Sequence, residues 1–115
     1  MFKFEELKVY QKALVLVNNA YDLTKLWPKS ELFGLTSQLR RASISIVLNI
    51  AEGSSRTNKD FAHFLSLARG SCFECVAILT IAQNQKLINP KEFSQLYSQC
   101  LELARMLSGL RSKIK

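Results

Sequence analysis

The sequence has few of the residues that interrupt helices or cross-link chains. Its 115 residues include four glycines and two prolines, while hydrophobic residues make up 48%, so long uninterrupted elements are expected and disorder is not. Three cysteines are an odd number, which argues against a disulfide framework and for a reducing compartment. We therefore expect an all-helical, cytoplasmic protein whose cysteines are small core residues.

Membrane-spanning and secretory segments are also missing from the pattern. No apolar run approaches the roughly 20 residues that cross a bilayer. The N-terminal stretch MFKFEELKVYQK lacks the apolar centre that is typical of a signal peptide. We therefore expect no association with a membrane.

Acidic residues are outnumbered by basic ones, 9 to 16, which gives a net charge of +7. This balance favours acidic partners such as nucleic acid or an anionic membrane surface. The excess is spread along the chain except in the tail from Leu103 to Lys115, which contains no acid. A solvated helix end explains that tail about as well as a binding patch does.

The sequence lacks the residue combinations that are typical of catalytic and metal-binding sites. Cys72 and Cys75 have the spacing of a metal or redox pair, but zinc needs four ligands, and His63 falls on the opposite side of the helix. Glu52 and Glu74 are expected more than about 20 Å apart, too far for an acid/base pair. There is no Gly-rich phosphate loop and no nucleophile–histidine arrangement. We predict no enzymatic activity, metal, cofactor or small-molecule substrate.

Helical periodicity is what the sequence does contain, in four segments. The apolar spacing predicts helices from about Glu5 to Leu26, from an N-cap at Ser30 to Glu52, from a cap at Thr57 to about Gln85, and from Asn89 to the tail. Short connections force neighbouring helices to run antiparallel. Residues 1–115 are therefore predicted to be one all-α domain, an antiparallel up-down-up-down four-helix bundle.

The second helix is unusual because its apolar residues 44–51 point in every direction around a helical wheel. Such a helix must be covered on all sides, so we expect the other helices, together with copies of the chain, to enclose it. Its polar residues Gln38, Arg41, Ser45 and Glu52 fall within about 60° of one another. We call this row of residues the polar seam.

The seam is predicted to continue onto the third helix. A hairpin that turns near Arg56 places Gly70 level with Ala42, where a missing side chain lets the backbones approach. It also makes an Arg41–Glu74 ion pair plausible. Glu52 would pair with Arg56 or with an arginine of another chain, Asn49 would cap a loop or set the register, and Gly53 would cap the helix. The structural interpretation is a network that specifies assembly, formed by Gln38, Arg41, Asn49, Glu52, Gly53, Gly70 and Glu74; the alternative is a ligand or nucleic-acid site.

A family resemblance is carried by specific residues of this region. The segments Gly34 to Ala42 and Asn49 to Gly53, with Ser45-Ile46 and Arg56, resemble the signature of the four-helix-bundle family that is also called the 23S ribosomal RNA intervening-sequence protein family. The likeness extends through the whole chain. Val47-Leu48 depart from the proline and small residue that are common in that family, and Cys75 departs from a usual leucine.

The resemblance implies an up-and-down four-helix bundle, often a homopentamer, without enzymatic activity. The family is also similar to the accessory variability proteins of diversity-generating retroelements, which are basic pentameric bundles that bind nucleic acid and a reverse transcriptase. We therefore predict a non-enzymatic homo-oligomer, pentameric by resemblance, whose basic surface binds RNA or a nucleoprotein. The rival hypothesis is a protein–protein interaction module that binds no nucleic acid. Candidate nucleic-acid-binding residues are Arg40, Arg56, Arg111, Lys113 and Lys115; Arg40 could serve a subunit contact instead.

Overall fold

The computed structural model describes residues 1–114 and shows four long helices and no strand in that range. A short 3-10 turn, Lys3–Glu6, precedes α1 (Lys8–Thr24). Two further short turns, Lys29–Glu31 and Leu32–Thr36, lead into α2 (Ser37–Ser54), which is followed by α3 (Asn58–Asn84) and α4 (Pro90–Lys113). The predicted all-α, four-helix fold is confirmed. Lys115, one of the predicted nucleic-acid-binding residues, lies outside the described range.

Helices α3 and α4 begin where their capping residues predict. The Thr57 hydroxyl accepts a hydrogen bond from the Asp60 amide at 3.2 Å. Asn89 and Glu92 form a reciprocal capping box, with bonds of 2.8 and 3.0 Å around Pro90 at the first helical position. These side chains satisfy amides that the first turn of a helix leaves without partners, so local chemistry sets both boundaries.

The start of α2 differs from the prediction. The helix begins at Ser37, and Ser30 lies in a 3-10 turn instead of capping it. The interruption lies at Gly34, whose φ of −113° and ψ of −114° are not helical, a conformation that a residue without a Cβ adopts most easily. At the other end of α2, Gly53 does not cap the helix. It lies inside the last turn, and Ser55 follows as the cap.

The core lies where the four helices meet. Helix α3 packs between α2 and α4, and α1 packs against the same two helices. In α4 the buried residues follow one another at intervals of three and four: Leu96, Cys100, Leu103 and Leu107. Burying these side chains removes apolar surface from water at about 25 cal/mol per Å², so one shared core stabilises all four helices.

The middle of α2 is covered only in part by its own chain. Ile46 and Ile50 are fully buried, and Ile44 and Val47 are half-buried, but Leu48 is 61% exposed. The expectation that residues 44–51 have no side that meets water therefore fails at Leu48 within one chain. The part of that expectation that involves copies of the chain stays a prediction.

Helix α3 is long and apolar enough, by length and composition, to cross a membrane. The apolar runs of the sequence did not predict such a segment. In the bundle, eight of its residues are buried, and it packs against both α2 and α4. A central core helix has the same composition as a membrane span, because both are surrounded by apolar atoms.

Candidate nucleic-acid interface

The α2–α3 hairpin fixes where the predicted seam lies. The Ser71 hydroxyl donates to the Ser45 hydroxyl at 2.9 Å, and the Asn49 amide donates to the carbonyl and hydroxyl oxygens of Ser45 at 2.8 and 3.1 Å. The predicted register would have placed Ser45 one helical turn away from Ser71. The hairpin is therefore shifted by one turn from the prediction.

Two predicted contacts of the seam are corrected by this structure. Arg41 and Glu74 are both exposed, and the ion pairs among residues 1–114 join other residues, so they do not pair with each other within 4 Å. Gly70 is exposed as well, and a Cβ added there would meet no atom within 4 Å. With the shifted register, the close approach that Gly70 was expected to permit does not occur there.

The close approach is made by Gly53 instead. A Cβ added to Gly53 would lie 2.5 Å from the Phe64 Cβ and 2.9 Å from the Phe61 Cδ1. The last turn of α2 therefore packs directly onto the first turns of α3. This contact brings Glu52, Arg56 and the start of α3 together at one end of the bundle.

The polar seam itself lies along the outside of α2. Gln38, Arg41 and Glu52 are exposed, and Ser45 and Asn49 are half-buried. Exposed polar side chains have water as a partner, so no network of buried charges is required within one chain. The assembly role of the seam stays a prediction.

Two of the candidate nucleic-acid-binding arginines are engaged within the chain. The Arg40 Nε donates to the Thr24 hydroxyl at 2.9 Å, and its guanidinium carbon lies 4.3 Å from the centre of the Tyr21 ring. The Arg56 Nη2 donates to the Glu52 carboxylate at 3.1 Å and its guanidinium lies 5.2 Å from the Phe64 ring centre. Arg40 thus joins α2 to α1, and Arg56 is the partner of Glu52.

Unpaired basic groups gather instead in a groove between the first turns of α3 and the last turn of α4. Lys59, His63 and Arg111 line this basic groove, whose volume is about 460 Å³. No carboxylate lines it, and neither Lys59 nor Arg111 joins an ion pair in the described part of the chain. A lysine and an arginine that line one groove without an acidic partner suit a phosphate group.

Lys113 lies on the other flank of α4, where it lines a second groove with Lys8 of α1. Both grooves are at the same end of the bundle, because α1 and α3 begin there and α4 ends there. Of the candidate residues described by the structure, Arg111 and Lys113 therefore keep their charges available to a ligand.

Lys59 and His63 were not predicted as candidate residues from the sequence. They are four residues apart and so lie on one face of α3. The α3–α4 hairpin turns near residue 87, which places His63 level with Arg111. The four-residue spacing of Lys59 and His63 and the basic tail with Arg111 are both present in the sequence. They indicate a common site only when α3 and α4 are aligned with each other.

The three cysteines are buried together in the core, where the thiols of Cys72 and Cys75 stay protonated. Burial raises the pKa of the Cys72 thiol from 9.0 to about 12. A hydrogen bond with Cys100 and burial together raise the pKa of Cys75. Thiolates are the reactive and metal-binding form, and within residues 1–114 no group of three His, Cys, Asp or Glu side chains is arranged to hold a metal ion.

Comparison with known proteins gives a consistent assignment. Residues 5–109 match the family model described as 23S rRNA-intervening sequence protein. No curated protein matches the chain. A solved structure with a similar fold is that of a protein of unknown function from the S23 ribosomal protein family of Bacteroides thetaiotaomicron. The two chains are 21% identical, the match covers 90% of this chain and 95% of the other, and the TM-score is 0.84. At this identity the likeness establishes the fold.

Proposed function

The chain belongs to the 23S rRNA-intervening sequence protein family, and from this premise we propose that it is a non-enzymatic helical bundle that self-associates and binds RNA, free or within a nucleoprotein. The observation that carries the RNA part of the proposal is the basic groove. Lys59, His63 and Arg111 line it from two helices, and no Asp or Glu is among the lining residues in the described range 1–114.

The chemistry of the groove fits a phosphate backbone. An arginine guanidinium offers a fork of N–H donors that matches phosphate oxygens, and a lysine adds a mobile point charge. Contacts of this kind carry little sequence information, and their strength depends on the release of counterions from the nucleic acid. Binding is therefore expected to be weakly sequence-specific and strongly dependent on salt.

Self-association is supported by an apolar surface between α3 and α4. Phe73, Tyr97 and Leu101 are each at least 40% exposed and border a narrow groove above Cys72 and Cys100. We call Phe73, Tyr97 and Leu101 the apolar strip. Contiguous exposed apolar residues are typical of interaction surfaces. We propose that copies of the chain bury the apolar strip, and we extend this to a pentamer because of the family resemblance.

The experiment that tests RNA binding is a titration of a structured RNA with the intact protein at about 50 and 200 mM salt. Replacing Lys59 and Arg111 with glutamine should weaken binding at least about tenfold at the lower salt and reduce the salt slope by nearly 2. The matched control replaces Lys29 and Lys91, two exposed lysines at the other end of the bundle, and should stay within about twofold of wild type. Absence of salt-sensitive binding by the wild type would refute this half of the proposal.

A protein–protein interaction module is the second candidate, and the apolar strip is the observation that favours it. In that case the Lys59 and Arg111 variant would behave as wild type in every binding assay. Replacing Phe73 and Leu101 with serine would abolish binding of a protein partner while solution mass stays the same, since the strip would then serve the partner and not a second copy.

A further inference from the structure

Another groove, distinct from the basic groove and from the groove lined by Lys8 and Lys113, lies beside the first turns of α3. It is bounded by α3, by the N-terminal 3-10 turn and by the end of α2. Phe2, Phe4, Leu48 and Phe64 form its apolar surface, and Lys3, Asn49, Glu52, Ser54 and Ser55 supply polar groups; we call it the aromatic groove. Its volume is about 790 Å³, within the range of ligand sites. It shares no lining residue with the basic groove.

The aromatic ring at the edge of this groove is held in place but open to solvent. The Phe2 ring stacks on Phe4 with centroids 5.7 Å apart, and Phe4 packs edge-on against Tyr10 of α1 at 4.9 Å. The Phe2 amide also donates to the Glu5 carboxylate at 3.3 Å. Phe2 nevertheless remains 71% exposed. One side of the ring is therefore covered by Phe4, which leaves the opposite side free to stack on a planar group.

Polar atoms beside the rings are mostly acceptors. The side-chain nitrogen of Asn49 donates both of its hydrogen bonds to Ser45. The side-chain oxygen of Asn49 accepts no hydrogen bond from residues 1–114. The hydroxyls of Ser54 and Ser55 donate to backbone carbonyls of α2, both at 2.8 Å, and keep lone pairs available. A planar ligand with N–H groups on its edge satisfies these acceptors, and every RNA base carries such a donor.

Lysine side chains lie on both sides of Phe64, where the phosphates of a nucleic-acid strand would need them. Lys3 is among the lining residues of the aromatic groove, and Lys59 lines the basic groove from the same turns of α3 that carry Phe64. Aromatic stacking surfaces beside basic grooves are the general design of proteins that bind single strands. A base inside an RNA helix is already stacked and paired, so it cannot enter.

We propose that the aromatic groove receives an unpaired base of the bound RNA, stacked on Phe2, so that the protein selects single-stranded segments over duplex. This inference rests on the proposed RNA binding and adds the class of RNA that is bound. Duplex RNA contacts the basic groove alone, whereas a single strand contacts both grooves.

The test compares two probes, a uridine oligonucleotide of about 12 residues containing one 2-aminopurine, and an RNA duplex of equal length. Phe2→Ala should weaken single-strand binding by about 5-fold to 100-fold, leave duplex binding within about twofold, and abolish the change in 2-aminopurine fluorescence. Phe2→Trp should retain binding. The control is Phe33→Ala, at a ring before α2 that is 94% exposed and lines neither groove, and this change should leave binding of both probes unaltered.

Three results would overturn the inference. One is equal loss of single-strand and duplex binding in Phe2→Ala, and another is a wild type that prefers the duplex. The third is a lower solution mass for Phe2→Ala at unchanged RNA affinity, which would make the aromatic groove a contact between subunits. Failure of the proposed function has a different signature, because the wild type would then bind neither probe.

Discussion

Gly53 and Phe64 are packed so closely that a Cβ on the glycine would lie 2.5 Å from the Cβ of the phenylalanine. Real Cβ atoms do not approach other carbons to that distance, and the obstacle is the base of the phenylalanine side chain and not a flexible chain end. Gly53 is therefore a packing residue. The contact sets the spacing between α2 and α3 and the position of Glu52 and Arg56 beside the aromatic groove.

Gly53→Ala should destabilise the protein by roughly 2–3 kcal/mol, because the overpacked hairpin must separate. The matched control is Gly70→Ala in the exposed middle of α3, where an added Cβ meets nothing within 4 Å. That change should stabilise the protein by about 0.5–1 kcal/mol through helix propensity. Urea denaturation measures both. Equal effects of the two substitutions would contradict the proposed role of Gly53.

Arg40→Gln should lower the free energy of unfolding by about 1–2 kcal/mol, since it removes the bond from the guanidinium to the Thr24 hydroxyl and the contact with the Tyr21 ring. Its neighbour Arg41 is exposed and makes no ion pair in the described range, so Arg41→Gln should stay within about 0.5 kcal/mol of wild type. Thermal unfolding of the two variants provides the comparison. A larger loss for Arg41→Gln would mean that Arg40 is not the residue that joins α1 to α2.

Stability should fall as the pH rises above 9. The pKa of Cys72 is raised from 9.0 to about 12 in the folded protein, so between these values the unfolded chain releases a proton that the folded chain keeps. Each such thiol lowers the free energy of unfolding by up to about 1.4 kcal/mol per pH unit. Denaturation at pH 8 and pH 10 measures the slope. Cys72→Ala should reduce it, and an unchanged slope would show that this thiol ionises normally in the fold.

Phe73→Glu should lower the mass in solution, measured by light scattering, if copies of the chain bury the apolar strip. A charge placed in a desolvated interface costs several kcal/mol, while the monomer tolerates it because Phe73 is 57% exposed. Leu26→Glu is the control, at a residue that is 78% exposed outside the helices. A wild type that is already monomeric at micromolar concentration would refute self-association.

Several features of the fold could be predicted because they depend on residues close together in the sequence. Thr57 with Asp60 and Asn89 with Glu92 satisfy amides within one helical turn, and such caps can be recognised without knowing any neighbour. The apolar spacing likewise predicted the four helical segments. The start of α2 was placed too early, because helical periodicity continues across Gly34 although the backbone does not.

The candidate site was harder to predict, because it depends on how helices are aligned. The expected α2–α3 register was wrong by one turn, and the pairing of Arg41 with Glu74 and the role of Gly70 failed with it. A shift of about four residues returns the same side chains to the same face, so periodicity cannot distinguish the two registers. The choice between them depends on shape, at Gly53 against Phe64 and at Ser45 against Ser71.

The sequence by itself determined four helices and their antiparallel order, since these follow from local caps, apolar spacing and short connections. The family was indicated by a resemblance in specific residues of α2 and of the segment before it. The tertiary structure alone decided which charges are available to a partner. Arg40 and Arg56 contact neighbours within the chain, while Lys59, His63 and Arg111 line one groove that has no Asp or Glu among its described lining residues. Charge is a property of composition, but whether a charge is free depends on which side chains the packed helices bring within reach.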